Sequence, residues 1–283
     1  MGQSLKSTTK YETIIIDDKT IKPKCRKCGG KKFWRIRRER LRCVKCRYEF
    51  KFKLGNLNLK IREWKKLLKW FLRCQSINVI KEETKISEYK ILKALNIVRK
   101  AMIKDVPKIF NETVEVDKTY LGGQKKNKNK KQLIKEKTLY GQSKKGFETT
   151  KQPVFAILSR SDKVFAKVVP DTEAKDLIPI IEKKVKKGNK ICSDTWRAYT
   201  GLATKGYVHR IVNHGKKEYV KGKSHINGLE GFFGFLKRQL ASRGRIRRER
   251  IPLYLAEYVW RYNNKDLIVQ QQIEKLLNLV AKI

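Results

Sequence analysis

The amino-acid sequence predicts an α/β protein in which a mixed sheet flanked by helices follows two small N-terminal sections. Three observations support this architecture. Two Cys-x2-Cys pairs lie within residues 21–53, three runs with helical periodicity occupy residues 58–105, and strand-like segments alternate with amphipathic helices from residue 113 onward. The sequence therefore predicts a loose arm (1–20), a zinc ribbon (21–53), a small helix-turn-helix-like helical section (54–107) and an α/β domain (108–283).

The first element is a cluster of cysteines with the spacing of a metal site. Fourteen residues separate the two pairs, which are Cys25 with Cys28 and Cys43 with Cys46. Each Cys-x2-Cys turn offers two thiolates to one side of a tetrahedral ion. Because four protein ligands leave no open coordination position, the sequence predicts one structural Zn²⁺. The other two cysteines, Cys74 and Cys192, stand in apolar contexts and are expected to be small core residues.

The second element is a set of three short helices. The runs are "LKIREWKKLLKWFL", "SINVIKEET" and "SEYKILKALNIVRKAMI", with Ser76 and Ser87 as expected N-caps. Three such helices, the last rich in Lys and Arg, fit a helix-turn-helix-like reader of DNA, and a plain three-helix linker is the alternative. Candidates for phosphate contact are Lys85, Lys90, Lys93, Arg99 and Lys104.

The third element is the α/β domain. "VEVDKTYLGG" is predicted as a strand, and "PVFAILSR" with "KVFAKVVP" as a hairpin that turns at Ser161 and Asp162. A helix ending near Gly188, a buried strand "KICSD", a short helix near residues 196–200 and a short strand "HRIVN" follow. Two further helices are expected in "SHINGLEGFFGFLKRQL" and "LYLAEYVWRYNNK", and a charged insertion in "KNKNKKQLIKEK".

Charge composition indicates a polyanionic partner. The chain has 70 Lys and Arg against 27 Asp and Glu, a formal net charge of +43. The basic residues are spread over the N-terminal third, residues 125–145 and residues 216–250, so nucleic acid is the expected partner. No apolar stretch is long enough for a membrane span or a signal peptide. We therefore expect an intracellular protein, in the nucleus of a eukaryote or in the cytoplasm and nucleoid of a bacterium.

Three carboxylates stand out because acidic residues are scarce. Asp117 lies on the first strand of the α/β domain, Asp194 ends the strand "KICSD", and Glu230 follows after thirty-five intervening residues. Three such oxygen donors at one sheet edge would hold two Mg²⁺ ions for phosphodiester displacement. Taken singly, each has an ordinary alternative: Asp194 as a helix cap, Asp117 as the partner of a lysine, and Glu230 in a surface salt bridge.

The helix that carries Glu230 has two parallel stripes. Its apolar stripe is Ile226, Leu229, Phe233, Leu236 and Leu240, at the spacing of a helix with one buried face. A polar stripe beside it is Asn227, Glu230, Gly234 and Lys237. This pattern predicts that Glu230 faces the two aspartates and that Gly234 leaves room beside it.

Five motifs in order resemble those of DDE transposases of the Merlin group and of their bacterial insertion-sequence relatives with an ISXO-like integrase core. They are "CRKC…CVKC", "VEVDKTYLGG", "KQPVFAIL", "SDTWRAY" and "HINGLEGFFGFLKRQL", which together span most of residues 20–265. The resemblance implies an RNase-H-like core, two Mg²⁺ (or Mn²⁺) ions, and cut-and-paste DNA transposition. It also implies a homo-oligomer that binds double-stranded DNA, both the terminal inverted repeats and the target.

Carried over by resemblance, Asp117, Asp194 and Glu230 are the expected metal ligands, and Lys237 is expected to contact DNA. Asn227 stays open as the third catalytic position, because some relatives have Asn there, although Glu230 fits the spacing better. Two other functions also stay open: a nuclease of the same fold without strand transfer, and a host-adapted DNA-binding protein that has lost catalysis.

Overall fold

The computed structural model describes residues 14–16, 19–21, 25, 27–37, 40–51, 53–122, 134, 151–212, 227–244 and 246–282. They divide into two compact units. One unit comprises the described residues up to Ala101 together with those from Leu267 onward, and the other runs from Met102 to Asp266. Within these ranges, no helix has both the length and the apolar character that a bilayer span requires.

The regular elements of the described residues are named here in chain order. The strands are β1 (Ile14–Ile16), β2 (Lys19–Ile21), β3 (Phe33–Ile36), β4 (Arg40–Cys43), β5 (Glu49–Lys51), β6 (Val114–Leu121), β7 (Gln152–Ser159), β8 (Val164–Val168), β9 (Lys190–Ser193) and β10 (Val208–Ile211). The α-helices are α1 (Ile61–Leu72), α2 (Ile77–Thr84), α3 (Glu88–Lys104), α4 (Ala174–Lys184), α5 (Asn227–Ser242), α6 (Ile251–Asn263) and α7 (Val269–Val280).

The N-terminal unit contains the ribbon. Strands β3, β4 and β5 form an antiparallel three-stranded sheet, and β1 pairs with β2. The ribbon is too small for a large core, so its apolar interior is limited to Phe33, Leu41 and Phe50 around the buried Cys25 and Cys43. The rings of Phe33 and Phe50 meet edge to face, with centroids 5.4 Å apart.

The three helices predicted for residues 58–105 are present in the positions expected. In α1 the buried residues recur every three or four positions: Trp64, Leu67, Leu68, Phe71 and Leu72. The Ser76 hydroxyl caps α2 by accepting a hydrogen bond from the Val79 amide at 3.3 Å, as predicted. The expectation that Cys74 is a core residue is wrong, because its side chain is exposed. It lies just after the end of α1, where the backbone has a left-handed φ of 58°.

The last helix differs from the sequence-based domain boundaries. Helix α7 packs against α1 and belongs to the N-terminal unit, whereas the sequence predicted one section over residues 108–283. A Cβ on Gly55, which has φ +58°, would lie 3.2 Å from Val280 at the end of α7. The chain therefore closes its N-terminal unit with its C-terminal segment.

The second unit is built on a five-stranded mixed sheet of order β10-β9-β6-β7-β8. The central strand β6 is antiparallel to β7 and parallel to β9; β8 continues the antiparallel side and β10 the parallel side. The hairpin of β7 and β8 turns at Asp162, which has φ 59°, as the sequence predicted.

Alternation along β6 assigns its side chains to two different cores. On one face, Val114 and Val116 pack with α4 and the 3₁₀ turn Arg197–Leu202. Ile191 of β9 belongs to the same core. Leu121 packs with α5 and α6 on the other face. The unit is therefore a three-layer α/β structure, and the odd-numbered positions of β6, Asp117 among them, point toward the α5 layer.

Candidate functional site

The four cysteines predicted to bind zinc come together in the ribbon. Their Sγ atoms all lie within 4.8 Å of one another, with Cys25 to Cys46 and Cys28 to Cys43 each at 3.5 Å. A tetrahedral ion with Zn–S bonds of about 2.3 Å requires sulfur–sulfur distances of roughly 3.8 Å, so the arrangement fits Zn²⁺. A Cβ on Gly30 would lie 3.1 Å from the Cys43 sulfur, which explains a glycine in this knuckle.

Asp117 and Asp194 lie side by side at the sheet. The parallel register of β6 and β9 ends with Val116 opposite Ser193. Asp117 is the next residue of β6, and Asp194 directly follows the last residue of β9. Asp194 turns its carboxylate back onto the chain, because Oδ1 accepts a hydrogen bond of 3.0 Å from the Trp196 amide. The sheet therefore brings together two carboxylates that are 77 positions apart in sequence.

The environment of Asp117 is unfavourable for its negative charge. Burial, with smaller contributions from the charges of Asp194 and Glu230, raises the pKa of this carboxyl to about 6, against the hydrogen bond from the Lys118 amide and the charge of Lys118. The contribution of Glu230 is the smallest of these causes, and it indicates that Glu230 lies close enough to act on the charge of Asp117.

Helix α5 carries the two predicted stripes. Leu229, Phe233 and Leu236 of the apolar stripe are buried, while Ile226 lies outside the described residues. Phe232, which the stripe omitted, is buried as well. In the polar stripe Glu230 is exposed and Gly234 lies one turn further along.

The ammonium of Lys237 interacts electrostatically with the same site. Burial and the charge of Lys151 lower the pKa of its ammonium, while Asp117 raises it. Glu230 and Lys237 are therefore both within the electrostatic range of Asp117. Asn227 is the exposed first residue of α5, and the structure shows no bond between its side chain and the acidic residues.

Lys118 is a site residue that the sequence analysis did not single out. Its Nζ donates to Asp194 Oδ2 at 2.6 Å and lies over the ring of Trp196, 4.7 Å from the centroid. Its side chain is only 11% exposed. Only its position directly after Asp117 could have indicated this residue in the sequence. That position puts Lys118 on the opposite face of β6, from which its long side chain reaches Asp194.

Tyr199 adds a polar atom at the edge of this site. It is fully buried, its hydroxyl finds no hydrogen-bond partner within the described ranges, and burial together with Asp117 and Asp194 raises its pKa well above the usual value. A buried hydroxyl without a partner is costly unless another group satisfies it.

The donor set fits Mg²⁺ or Mn²⁺ in chemistry, since all three groups are hard oxygen ligands. The carboxylates are more widely spaced than the thiolates: among the described residues, only the four cysteines form a group of three or more ligand atoms within 4.8 Å.

Comparison with known proteins matches this unit to a family. The model of the ISXO2-like transposase domain matches residues 109–263, more than half of the chain. A transposase-like protein of Haemophilus influenzae is 36% identical over 115 residues, which cover 41% of this chain and 93% of that protein. A protein in the transposable element ISH50 of Halobacterium salinarum is 22% identical over 229 residues, covering 78% and 77% of the two chains.

One solved structure, a pre-cleavage Mos1 transpososome, aligns over 76% of this chain and 78% of that chain. The alignment has 10% sequence identity and a TM-score of 0.26, which is too low for a comparison of the folds.

Proposed function

The chain belongs to the ISXO2-like transposase domain family, and from this premise we propose that it is a DDE-type DNA transposase, a metal-dependent polynucleotidyl transferase. The observation that supports this most is the side-by-side placement of Asp117 and Asp194 within the electrostatic range of Glu230. We also infer that the second unit is an RNase-H-like core, because a central strand with an antiparallel hairpin on one side and parallel strands on the other matches that expectation.

In this proposal Asp117, Asp194 and Glu230 are the metal ligands. When bound, two Mg²⁺ ions would activate the attacking oxygen and stabilise the leaving oxygen of a phosphodiester displacement. Because Lys118 is hydrogen-bonded to Asp194, that carboxylate must exchange one cationic partner for another when it becomes a ligand. Lys118 then has a free ammonium close to where a scissile phosphate would lie.

Lys237 is proposed to hold the DNA backbone. Burial lowers the pKa of this ammonium and the charge of Asp117 raises it, which supports a position near the site from which it could pair with a phosphate oxygen. Water would attack at a transposon end and release a 3′-hydroxyl, and that hydroxyl would attack a phosphodiester of the target DNA. Two ends must be held together during this sequence, so we propose a homo-oligomer bound to the terminal inverted repeats and the target.

The test is incubation of the purified chain with a labelled duplex that carries the inverted repeats flanking its coding region, with Mg²⁺ or Mn²⁺. We expect metal-dependent nicking that D194N abolishes and D266N retains, because Asp266 is an exposed aspartate outside the site. E230Q and N227A, assayed in parallel, decide between Glu230 and Asn227 as the third catalytic residue.

The same assay separates the alternatives. Nicking without joining to target DNA would support a nuclease of this fold. Binding to the duplex without nicking in either metal would contradict the enzyme and support a DNA-binding protein.

A further inference from the structure

Glu115 is a buried carboxylate that belongs to none of the sites described above. Only 2% of its surface is exposed. Its Oε1 accepts a hydrogen bond of 2.8 Å from Arg160 Nη1, and its Oε2 accepts one of 2.9 Å from the backbone amide of Leu229. Burying a charge is expensive unless it is paired and hydrogen-bonded, and both conditions are met here.

The second of these bonds joins the sheet to the beginning of α5. Leu229 is the third residue of α5, and the amides of the first turn have no acceptor within their own helix. A carboxylate placed there satisfies one of these amides and is also favoured by the helix dipole. The bond connects two residues that are 114 positions apart, so it fixes a tertiary contact rather than a local turn.

Gly228 allows this close approach. A Cβ at this position would lie 2.6 Å from Leu158 Cδ2 and 3.0 Å from Glu115 Oε2. A larger residue would therefore require the Leu158 side chain, the Glu115 carboxylate or the beginning of α5 to shift. Glu115 and Gly228 together form a seat on which the helix rests.

The residues of this seat lie two positions from the catalytic candidates on each element: Glu115 from Asp117 on β6, and Gly228 from Glu230 on α5. Glu115 and Asp117 are two positions apart on β6 and share one face of the strand. Glu230 follows Leu229 directly on α5. We propose that Glu115 is a positioning residue that seats the start of α5 so that Glu230 is held toward Asp117. This inference rests on the proposed function of those two acids.

A purely structural role would give a different pattern, and Glu257 on α6 provides the comparison. Glu257 is also a buried carboxylate in the same unit, with Arg261 Nε at 3.1 Å and Arg243 Nη2 at 3.5 Å. Replacing either glutamate by leucine removes a buried partner of an arginine. Only the change at Glu115 removes the acceptor of the Leu229 amide.

The experiment uses the full zinc-loaded chain with the variants E115L, E115Q, G228A and E257L. Mn²⁺ binding is titrated calorimetrically, with D194N to identify the carboxylate site, and amide hydrogen exchange is measured by mass spectrometry on the peptide that contains Leu229. We expect E115L and G228A to weaken Mn²⁺ binding about tenfold or more, as loss of an outer-shell partner does. In E115L the Leu229 peptide should also lose its protection from exchange.

E115Q should bind Mn²⁺ within about threefold of the wild type and keep the protection, because its amide oxygen still accepts from Leu229. E257L should also stay within that range.

Equal weakening in E257L and E115L, or unchanged Mn²⁺ affinity in a folded E115L, would overturn the positioning role. A wild-type chain whose Mn²⁺ binding does not respond to D194N would instead contradict the proposed function. If the Leu229 peptide kept its protection from exchange in E115L, Glu115 would not hold the start of α5, whatever the Mn²⁺ affinity of that variant.

Discussion

Asp117 is the residue at which the requirements of folding and of the proposed chemistry conflict. Its carboxyl has an ordinary pKa of 3.8 in the unfolded chain and a pKa of about 6 in the folded one. The folded state therefore binds the proton more tightly than the unfolded state. As the pH rises from about 4 through 6, ionising this group in the folded chain costs free energy that the unfolded chain does not lose.

We expect D117N to raise the free energy of unfolding at pH 7.5 by up to about 3 kcal/mol, since one pKa unit corresponds to about 1.4 kcal/mol. The gain should shrink toward zero at pH 4, where the native carboxyl is also neutral. Urea denaturation of both proteins at the two pH values, in buffer free of Mg²⁺, measures it. A destabilised D117N at pH 7.5 would contradict this account of the site.

In the proposed function, Lys118 would compete with the metal for Asp194. Because its ammonium bonds Asp194 at 2.6 Å, K118M removes a positive charge from the immediate surroundings of the metal ligands. We expect Mn²⁺ to bind roughly three- to tenfold more tightly to K118M, an effect of about 1 kcal/mol, which is the interaction of two unit charges about 4 Å apart when water screens them fully. Titration calorimetry measures the affinity, and K167M, a change at an exposed lysine of β8, serves as the control. Weaker binding in K118M would show that the lysine orients Asp194 instead of competing for it.

At the scale of elements, we expect the ribbon to depend on a zinc ion bound by its four cysteines more than on its small apolar core. We expect C43S to reduce bound zinc from one ion per chain to nearly none, because Cys43 is a buried member of the four-thiolate group. Structural zinc contributes on the order of 10 kcal/mol to small domains, so amides over residues 27–51 should exchange rapidly in this variant. Mass spectrometry of metal content and of hydrogen exchange gives both results.

C192S is the matched control for C43S. Cys192 is equally buried but lies on β9, outside the cysteine group. It should keep its zinc and the protection of the ribbon. Full zinc occupancy in C43S would contradict the four-ligand assignment.

The elements themselves were largely predictable from the sequence, because their patterns are local. The Cys-x2-Cys spacing, the stripe of α1 and the hairpin turn at Asp162 each lie within a few residues, and the structure confirms them. The bond between Lys118 and Asp194 and the seat formed by Glu115 could not be predicted. They join residues 76 and 114 positions apart, and nothing near either residue in sequence indicates its partner.

At the scale of the whole molecule, we expect charge to dominate the proposed interaction with DNA. A formal net charge of +43 means that many lysines and arginines are available to phosphates. Each neutralised phosphate releases a counterion, so a complex with six or more such contacts should lose at least about a thousandfold in affinity between 50 and 200 mM salt. Fluorescence anisotropy of a labelled duplex measures the slope. An affinity that does not depend on salt would contradict an electrostatic interface with the DNA backbone.

The packing of α7 on α1 has a consequence for the order in which the protein is made. The ribosome releases α1 early, but its partner helix appears only after the whole second unit has been synthesised. Domains tend to fold as they emerge, so the second unit can fold first while the apolar face of α1 waits for the last segment of the chain. Chains truncated before Leu267 lack α7, so they should need a chaperone to cover the apolar face of α1, although the missing residues lie far from α1 in sequence.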